Sequence, residues 1–281
     1  MEDVLTLLDI TTPYNNRISE IDLIISKQKY KQLKLTIIST TLNYDKTSYI
    51  ITPAGLKNSR RKAGDGIVLF GYGKKNLENQ NLKFENEKNN NETVINDFVF
   101  PIGNKEEDSQ NSINEFPNFA IYYNIKDNNY YIKDFNTGVG ALMKIKKYIM
   151  GANTLVNVGS NYLVIYLDSN KITIKIFNNN NLENKEIAQN YETLNFDLEQ
   201  QNLLTIGRSK KCDIVLEDMM LSKIQATIEY NKKDGCVYLY DGDTKKESTN
   251  ATWVFILSPF IITNNFLFKA EHTLFAANVI E

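Results

Sequence analysis

Short apolar segments separated by clusters of polar residues make up most of the chain from Ser48 onward. These segments are rich in Val, Ile, Tyr and Phe, and several alternate apolar and polar positions as half-buried strands do. The clearest are GIVLFGYG, FAIYYNI, NYYIKDF, YLVIYL, KITIKIF, LLTIG, DIVL, QATIEY, CVYLYD and TWVFIL. Many short strands with Asn, Asp and Gly between them predict an all-β sandwich or barrel.

The first 46 residues have a different character. RISEIDLIISKQKYKQL has apolar positions compatible with a short amphipathic helix, and LKLTIISTTL then resembles a strand. We therefore expect residues 1–46 to form a short mixed N-terminal extension.

One stretch of sequence recurs in the second half of the chain. YNIKDNNYYIKD at 123–134 aligns without a gap with YNKKDGCVYLYD at 230–241. Asp-Asn in the first copy and Asp-Gly in the second lie between two strand patterns, which predicts a hairpin in each.

The similarity extends to both sides of the hairpins. Upstream, VLFGYGKK matches LTIGRSKK and NDFVF matches CDIVL; downstream, VNVGSNYLVI matches FKAEHTLFAA in pattern. A chain of 281 residues is long enough for two domains with a core each. The repetition predicts two β-sandwiches, at residues 47–168 and 171–281.

Composition and charge limit the classes of partner. Apolar and charged fractions of 42% and 23% are typical of a soluble globular protein. The 32 basic and 34 acidic side chains give a net charge of -2, so no global positive field attracts nucleic acid or anionic membrane. Recognition of an anion must therefore be local.

The titratable residues favour a protein that is not an enzyme. His272 is the one histidine, and it lies in an apolar segment rather than in a nucleophile motif. Cys212 and Cys236 are too few for a disulfide framework or a zinc site. The Gly-rich GDGIVLFGYG has strand patterns on both sides, whereas a phosphate-cradling loop leads into a helix. We expect no catalytic residue, cofactor or metal.

No segment of the sequence predicts export or membrane insertion. The start, MEDVLTLLDITT, is acidic where a secretory signal is basic. The longest apolar stretch, WVFILSPFII, is about half the length that a membrane helix needs. The sequence predicts a cytoplasmic protein.

Polar residues able to hold an anion lie on three loops of the second copy. In IGRS, Arg208 follows the glycine that ends a strand and offers a planar fork of donors suited to phosphate or carboxylate. Ser222 offers a hydroxyl, with Lys223 beside it. Thr249 and Asn250 lie on the third loop, and the amide can donate to and accept from a peptide backbone. These loops predict a small phosphate site with a peptide clamp.

This set of residues resembles a forkhead-associated (FHA) domain, a β-sandwich that binds phosphothreonine peptides in signalling and scaffold proteins. The motif of that family is Gly-Arg, then Ser-x-x-His, then Asn-Gly. The matching positions, within residues 171–281, are Gly207-Arg208, Ser222 with Gln225, and Asn250 with Ala251. The resemblance implies that Arg208 and Ser222 grip the phosphate with support from Lys223. It also implies that Asn250, with Thr249, holds the ligand backbone.

Two positions depart from the family motif. Gln225 replaces a histidine that supports the serine loop from behind, and Gln can donate a similar hydrogen bond. Ala251 replaces a glycine; if this position needs a positive φ, the substitution costs about 1 kcal/mol. The resemblance therefore supports the phosphate grip more strongly than the peptide clamp.

The first copy departs further from the motif. Tyr72 stands in place of Arg208, Phe116 falls opposite Ser222, and NTGVGALMKI has no counterpart of Asn250. A dianion would lose its hydration there with little in return. We expect a degenerate copy that does not bind phosphate, as in similar tandem FHA proteins of unicellular eukaryotes.

Two functions follow from these expectations. The first is a scaffold or signalling protein that binds a phosphothreonine-containing protein through its C-terminal FHA domain. The alternative is an architectural subunit of a large assembly, cytoskeletal or ciliary, in which the FHA folds make protein contacts without recognising phosphate.

Overall fold

In the structure, which is a computed structural model, the chain folds into two compact units. The structure describes residues 2–41, 46–57, 59, 61, 64–73, 96–101, 117–137, 140–178 and 191–281. Unit 1 consists of residues 1–141 and 256–281, and unit 2 of residues 142–255. Phe116, which the sequence aligns with Ser222, lies outside the described residues.

Strands predominate in both units, which confirms the predicted all-β class. In chain order the helices are α1 (Glu2–Leu7) and α2 (Tyr14–Ser26). The strands are β1 (Gln32–Ser39), β2 (Ser48–Thr52), β3 (Gly55–Leu56), β4 (Ile67–Gly73), β5 (Phe98–Pro101), β6 (Pro117–Asn124), β7 (Asn129–Asp134), β8 (Leu142–Lys144), β9 (Lys147–Ile149), β10 (Asn153–Val158), β11 (Asn161–Asp168), β12 (Lys171–Asn178), β13 (Glu192–Asp197), β14 (Leu203–Gly207), β15 (Ile214–Val215), β16 (Ala226–Asn231), β17 (Cys236–Asp241), β18 (Trp253–Phe255), β19 (Phe260–Ile261), β20 (Phe266–Ala270) and β21 (Thr273–Ile280). No helix of the described part is long and apolar enough to cross a membrane.

Unit 1 is a sandwich with an aromatic core. One sheet has the order β20-β21-β1-β2-β3 and the other β19-β7-β6-β4-β5. The rings of Phe70 and Phe119 stack at 4.4 Å, and Phe70 also meets the edge of Phe275 at 6.0 Å. Because Phe70 and Phe275 belong to different sheets, their contact helps to hold the two sheets face to face.

The N-terminal segment is an integral part of unit 1. The predicted helix and strand are both present, as α2 and β1. Strand β1 pairs with β2 on one side and β21 on the other, and Leu33 and Leu35 on it are fully buried. Arg17 of α2 is also buried, and its guanidinium donates to the carbonyls of Asp65 and Tyr123. Helix α2 and strand β1 therefore take part in the core of unit 1.

Unit 2 is formed by the sheets β13-β12-β11-β10-β18-β8 and β15-β14-β16-β17-β9. The inward positions of β11 and β12 alternate with half-buried or exposed ones, as the sequence pattern predicts. The fully buried apolar side chains of this unit include Val156, Val158, Leu163, Ile165, Ile172, Ile174, Leu204, Ile206, Ile228 and Leu239. Their burial supplies the main favourable contribution to the stability of the unit.

The repeated sequence forms the same local structure in both units. The two predicted hairpins are present as β6–β7 and β16–β17, with positive φ in their turns at Asn128 and Gly235. Each is preceded in the chain by a parallel pair, since β4 pairs with β5 and β14 with β15. Four strands of each five-stranded sheet therefore share one order, β5-β4-β6-β7 in unit 1 and β15-β14-β16-β17 in unit 2.

The compact units divide the chain differently from the predicted domains at 1–46, 47–168 and 171–281. Residues 168 to 171 form a tight turn between β11 and β12, which pair along their whole length from Asn161–Asn178 to Asp168–Lys171. The hairpin β10–β11, which follows the first sequence copy, belongs to unit 2. The corresponding hairpin β20–β21, which follows the second copy, belongs to unit 1.

Candidate functional site

The three predicted loops lie together at one end of unit 2. They are the segment after β14, the segment before β16 and the segment before β18. The Arg208 amide donates to the carbonyl of Ser222 at 3.2 Å, and the Thr249 amide donates to the Ser222 hydroxyl at 3.0 Å. Ser222 is therefore bonded to both of the other loops.

Gly207 allows the first two loops to approach closely. A Cβ atom on this residue would lie 2.4 Å from the carbonyl oxygen of Lys223, which is an impossible contact, and a tight 3.0 Å from the amide nitrogen of Gln225. The bare backbone lets the Ser209 amide donate to the Lys223 carbonyl at 3.2 Å. Any larger residue at position 207 would push these two loops apart.

Arg208 is exposed, and its guanidinium is oriented by the neighbouring loop. Its Nε donates to the carbonyl of Leu221 at 2.6 Å. No acidic side chain in the described ranges forms an ion pair with it. The Nε bond fixes one edge of the planar group and leaves the two terminal nitrogens as donors for a ligand.

The Ser222 hydroxyl is half-exposed and already takes part in a local network. It accepts the bond from the Thr249 amide and donates to the Thr249 hydroxyl at 3.3 Å. The donated bond is long and goes to an exposed group, so a stronger acceptor such as a phosphate oxygen can replace it. Lys223, the next residue, is exposed and adds a positive charge.

Gln225 connects the second and third loops from inside the unit. It is fully buried, and its Oε1 accepts from the Ser222 amide at 3.0 Å. Its Nε2 donates to the Ala251 carbonyl at 2.9 Å and to the Ser248 hydroxyl at 2.7 Å. The side-chain amide thus supports the Ser222 loop from behind, in the place where the family motif has histidine.

Asn250 and Ala251 form the tip of the third loop. The Asn250 amide donates to the Met220 carbonyl at 2.5 Å, which leaves its Oδ1 to accept from a ligand. Ala251 has a φ of 62°, so this position does use the left-handed conformation. An alanine here carries strain of about 1 to 2 kcal/mol that a glycine would avoid.

Asp218 is a structural residue of the site that the sequence analysis missed. Its Oδ2 accepts from both the amide and the hydroxyl of Ser160 at 2.9 Å, and its Oδ1 accepts from the Met220 amide at 2.8 Å. These bonds, the Ser160 amide above all, lower the pKa of Asp218. The sequence contains the signal for the local turn, an Asp two residues before the bonded amide, but Ser160 is 58 residues away.

The remaining candidate residues lie apart from these loops or play structural roles. Cys212 and Cys236 are free thiols, and Cys212 is buried with its Sγ donating to the Lys223 carbonyl at 3.1 Å. His272 lies in the turn between β20 and β21 of unit 1. Tyr72, aligned with Arg208, is on β4, where its carbonyl accepts from Asn96 at 3.2 Å. The described residues contain no group of His, Cys, Asp or Glu that could hold a metal ion.

The comparison with known families agrees with this geometry. The sequence profile of the FHA domain matches residues 204–270, a range that includes all three loops. A search of curated proteins finds no match. FHA domains are protein interaction modules that bind phosphopeptides, and they are not enzymes. The chain thus contains an FHA domain, detected at residues 204–270.

Proposed function

We propose that the chain is a scaffold or signalling protein that binds phosphothreonine-containing proteins through the tip of unit 2. The observation that carries this proposal is the exposed guanidinium of Arg208, which is bonded to the carbonyl of Leu221, the residue before Ser222. A phosphate carries about -1.5 to -2 charges near pH 7 and offers several acceptor oxygens. The two terminal guanidinium nitrogens of Arg208 and the hydroxyl of Ser222 can donate hydrogen bonds to such oxygens.

The bound peptide would be held by two sets of contacts. Arg208 and Ser222 bond the phosphate oxygens while Lys223 adds attraction at longer range. Asn250 accepts from a backbone amide of the peptide through its Oδ1, with Thr249 beside it. Since Asn250 already donates to the Met220 carbonyl, its acceptor is presented in one orientation.

Unit 1 has a different role in this proposal. Tyr72 offers no positive charge at the position of Arg208, so phosphate binding is confined to unit 2. Unit 1 would then be a degenerate FHA-like sandwich that serves as a structural or docking module. The whole chain acts without a cofactor, and its partner is another protein.

The test is binding of the full chain to peptides that carry phosphothreonine, phosphoserine or unmodified threonine at a fixed position in a degenerate sequence. We expect binding to the phosphothreonine peptides that weakens about ten-fold to more than a hundred-fold in Arg208→Ala, because charge-assisted hydrogen bonds contribute about 1.5 to 3 kcal/mol. Lys233→Ala is the matched control, since it removes an exposed cation from the β16–β17 turn at the other end of the strand.

Two other outcomes would redirect the interpretation. Equal binding of phosphorylated and unmodified peptides would contradict phosphate recognition. Absence of peptide binding, combined with recovery of the chain in a large complex that survives phosphatase treatment, would favour the architectural role.

A further inference from the structure

Strand β13 is a long and unprotected edge of unit 2. It has six residues and pairs with β12 in continuous register from Ile176–Glu192 to Lys171–Asp197. The edge strands of the second sheet, β9 and β15, have three and two residues. Folded proteins usually block a long edge with Lys, Pro or a β-bulge, because it can pair with a further strand. The sequence of β13, ETLNFD, and its register contain none of these features.

Alternate backbone groups of β13 point away from β12. The Leu198 amide donates to the Asn170 carbonyl at 2.8 Å, so these two residues form a hydrogen-bonded pair. Hydrogen-bonded and non-bonded pairs alternate along an antiparallel ladder, and the amides of Thr193, Asn195 and Asp197 therefore face the open edge. Within the described residues, no acceptor is bonded to these three amides.

The core of unit 2 is incompletely covered at this edge. Leu194 and Phe196 lie on the inward face of β13, opposite Ile174 and Ile172. The two isoleucines are buried, whereas Leu194 and Phe196 are only half-buried. A strand added beside β13 would remove more of these two side chains from water, which favours binding.

The charge of the edge determines which strand can pair with it. Residues 191–201 contain Glu192, Asp197 and Glu199 but no Lys or Arg. None of the three acids forms an ion pair in the part of the chain that the structure describes. A second copy of β13 would place two acidic strands side by side, which like-charge repulsion disfavours. A strand with basic residues opposite Glu192 and Asp197 is attracted instead.

We propose that β13 is a docking edge for an extended segment of a partner protein, with basic residues at the ends of that segment and apolar residues opposite Leu194 and Phe196. Main-chain bonds to Thr193, Asn195 and Asp197 supply affinity, and the side chains of the added strand supply specificity. The edge shares no residue with the proposed phosphate site, so this contact goes beyond the proposed function.

The test uses the full chain and a cyclic hairpin peptide whose free strand is Arg-Val-Thr-Val-Thr-Arg, titrated and followed by NMR. At saturation, we expect the amide protons of Thr193, Asn195 and Asp197 to exchange with solvent about ten-fold more slowly, because each gains a hydrogen bond. The same peptide with Glu in place of both Arg should bind about ten-fold more weakly at low salt, because it places like charges opposite the edge.

Three variants separate the backbone, charge and phosphate contributions. Asn195→Pro removes the central edge amide but no ladder bond to β12, and it should abolish binding of both peptides. Glu192→Lys should remove most of the preference for the basic peptide. Asp22→Lys is its matched control, because Asp22 is an exposed acid on α2 of unit 1. Arg208→Ala should leave binding of both peptides unchanged.

Three outcomes would overturn this docking edge. The first is equal binding of the basic and acidic peptides, and the second is unchanged exchange of the three amides with either peptide. The third is protection of these amides before any peptide is added. Protection that is independent of protein concentration would show that the chain covers its own edge, and protection that rises with concentration would assign the edge to a second copy.

Discussion

At the scale of single residues, the side chain that matters most for the architecture of the site is one that a ligand would not touch. Gln225 accepts from the Ser222 amide with one end and donates to the Ala251 carbonyl with the other. Gln225 is fully buried, so neither the Ser222 amide nor the Ala251 carbonyl could bond to water instead if the side-chain amide were changed. This explains why glutamine can stand in the histidine position of the family motif.

Gln225→Glu tests this role with almost no change in volume. The carboxylate keeps an acceptor for Ser222 but loses the donor to Ala251, and it is buried without a cation, so we expect a loss of about 2 to 4 kcal/mol of unfolding free energy at pH 7. Burial raises the pKa of such a carboxyl above its unfolded value, so its protonated form, which can donate, persists at low pH. Relative to wild type, the variant should therefore be least destabilised at acidic pH. The destabilisation should grow as the pH rises through the raised pKa. Urea unfolding of both proteins from pH 4.5 to 8 measures the difference.

Gln225→His is the control for Gln225→Glu, since histidine is the family residue. It should be destabilising by less than the glutamate, and it should retain phosphopeptide binding. A glutamate variant as stable as wild type across this pH range would show that the amide donor does not hold the third loop.

At the scale of elements, the position of the turn at residues 218–221 depends on a bond to a segment far away in sequence. Asp218 joins this turn to the β10–β11 turn at Ser160. The pKa of Asp218 is lowered, mainly by the bond from the Ser160 amide. The contribution of the Asp218 carboxylate to the free energy of unfolding is therefore fully present above the ordinary aspartate pKa of about 3.9. It is lost only as the pH falls below that value.

Asp218→Ala should release both turns. We expect the amide protons of Ser160 and Met220 to exchange several-fold to about ten-fold faster at neutral pH, because each loses a hydrogen bond to a charged acceptor. Hydrogen exchange followed by NMR measures the rates. Ser160→Ala removes the hydroxyl bond alone, so Met220 should stay protected in that variant. Unchanged exchange in Asp218→Ala would mean that the rest of the loop fixes the turns.

At the scale of the whole molecule, the sequence predicts the strands and the grouping of the site residues but not the assignment of hairpins to units. Alternation identifies strands because each one has an inward face, and Asp-Asn and Asp-Gly identify the two repeated turns. The segments VNVGSNYLVI and FKAEHTLFAA carry the same alternation, so either could complete either sandwich. Their pairing depends on side-chain fit across strands, which a one-dimensional pattern does not contain. For the same reason the Asp218–Ser160 bond could not be foreseen.

The division into units predicts which fragment of the chain folds by itself. Residues 142–255 include all the strands of unit 2, whereas residues 171–281 lack β8 to β11 and end with strands that belong to unit 1. Loss of β10 and β11 removes four fully buried side chains, Val156, Val158, Leu163 and Ile165. At about 1.5 to 3 kcal/mol each, this loss matches the whole stability of a typical domain of about 5 to 15 kcal/mol. We therefore expect fragment 142–255 to unfold cooperatively on heating and fragment 171–281 to show no cooperative transition by circular dichroism. If the proposed function is right, the first fragment also keeps phosphopeptide binding. A cooperative transition in 171–281 and none in 142–255 would mean that each sequence copy folds with its own downstream hairpin.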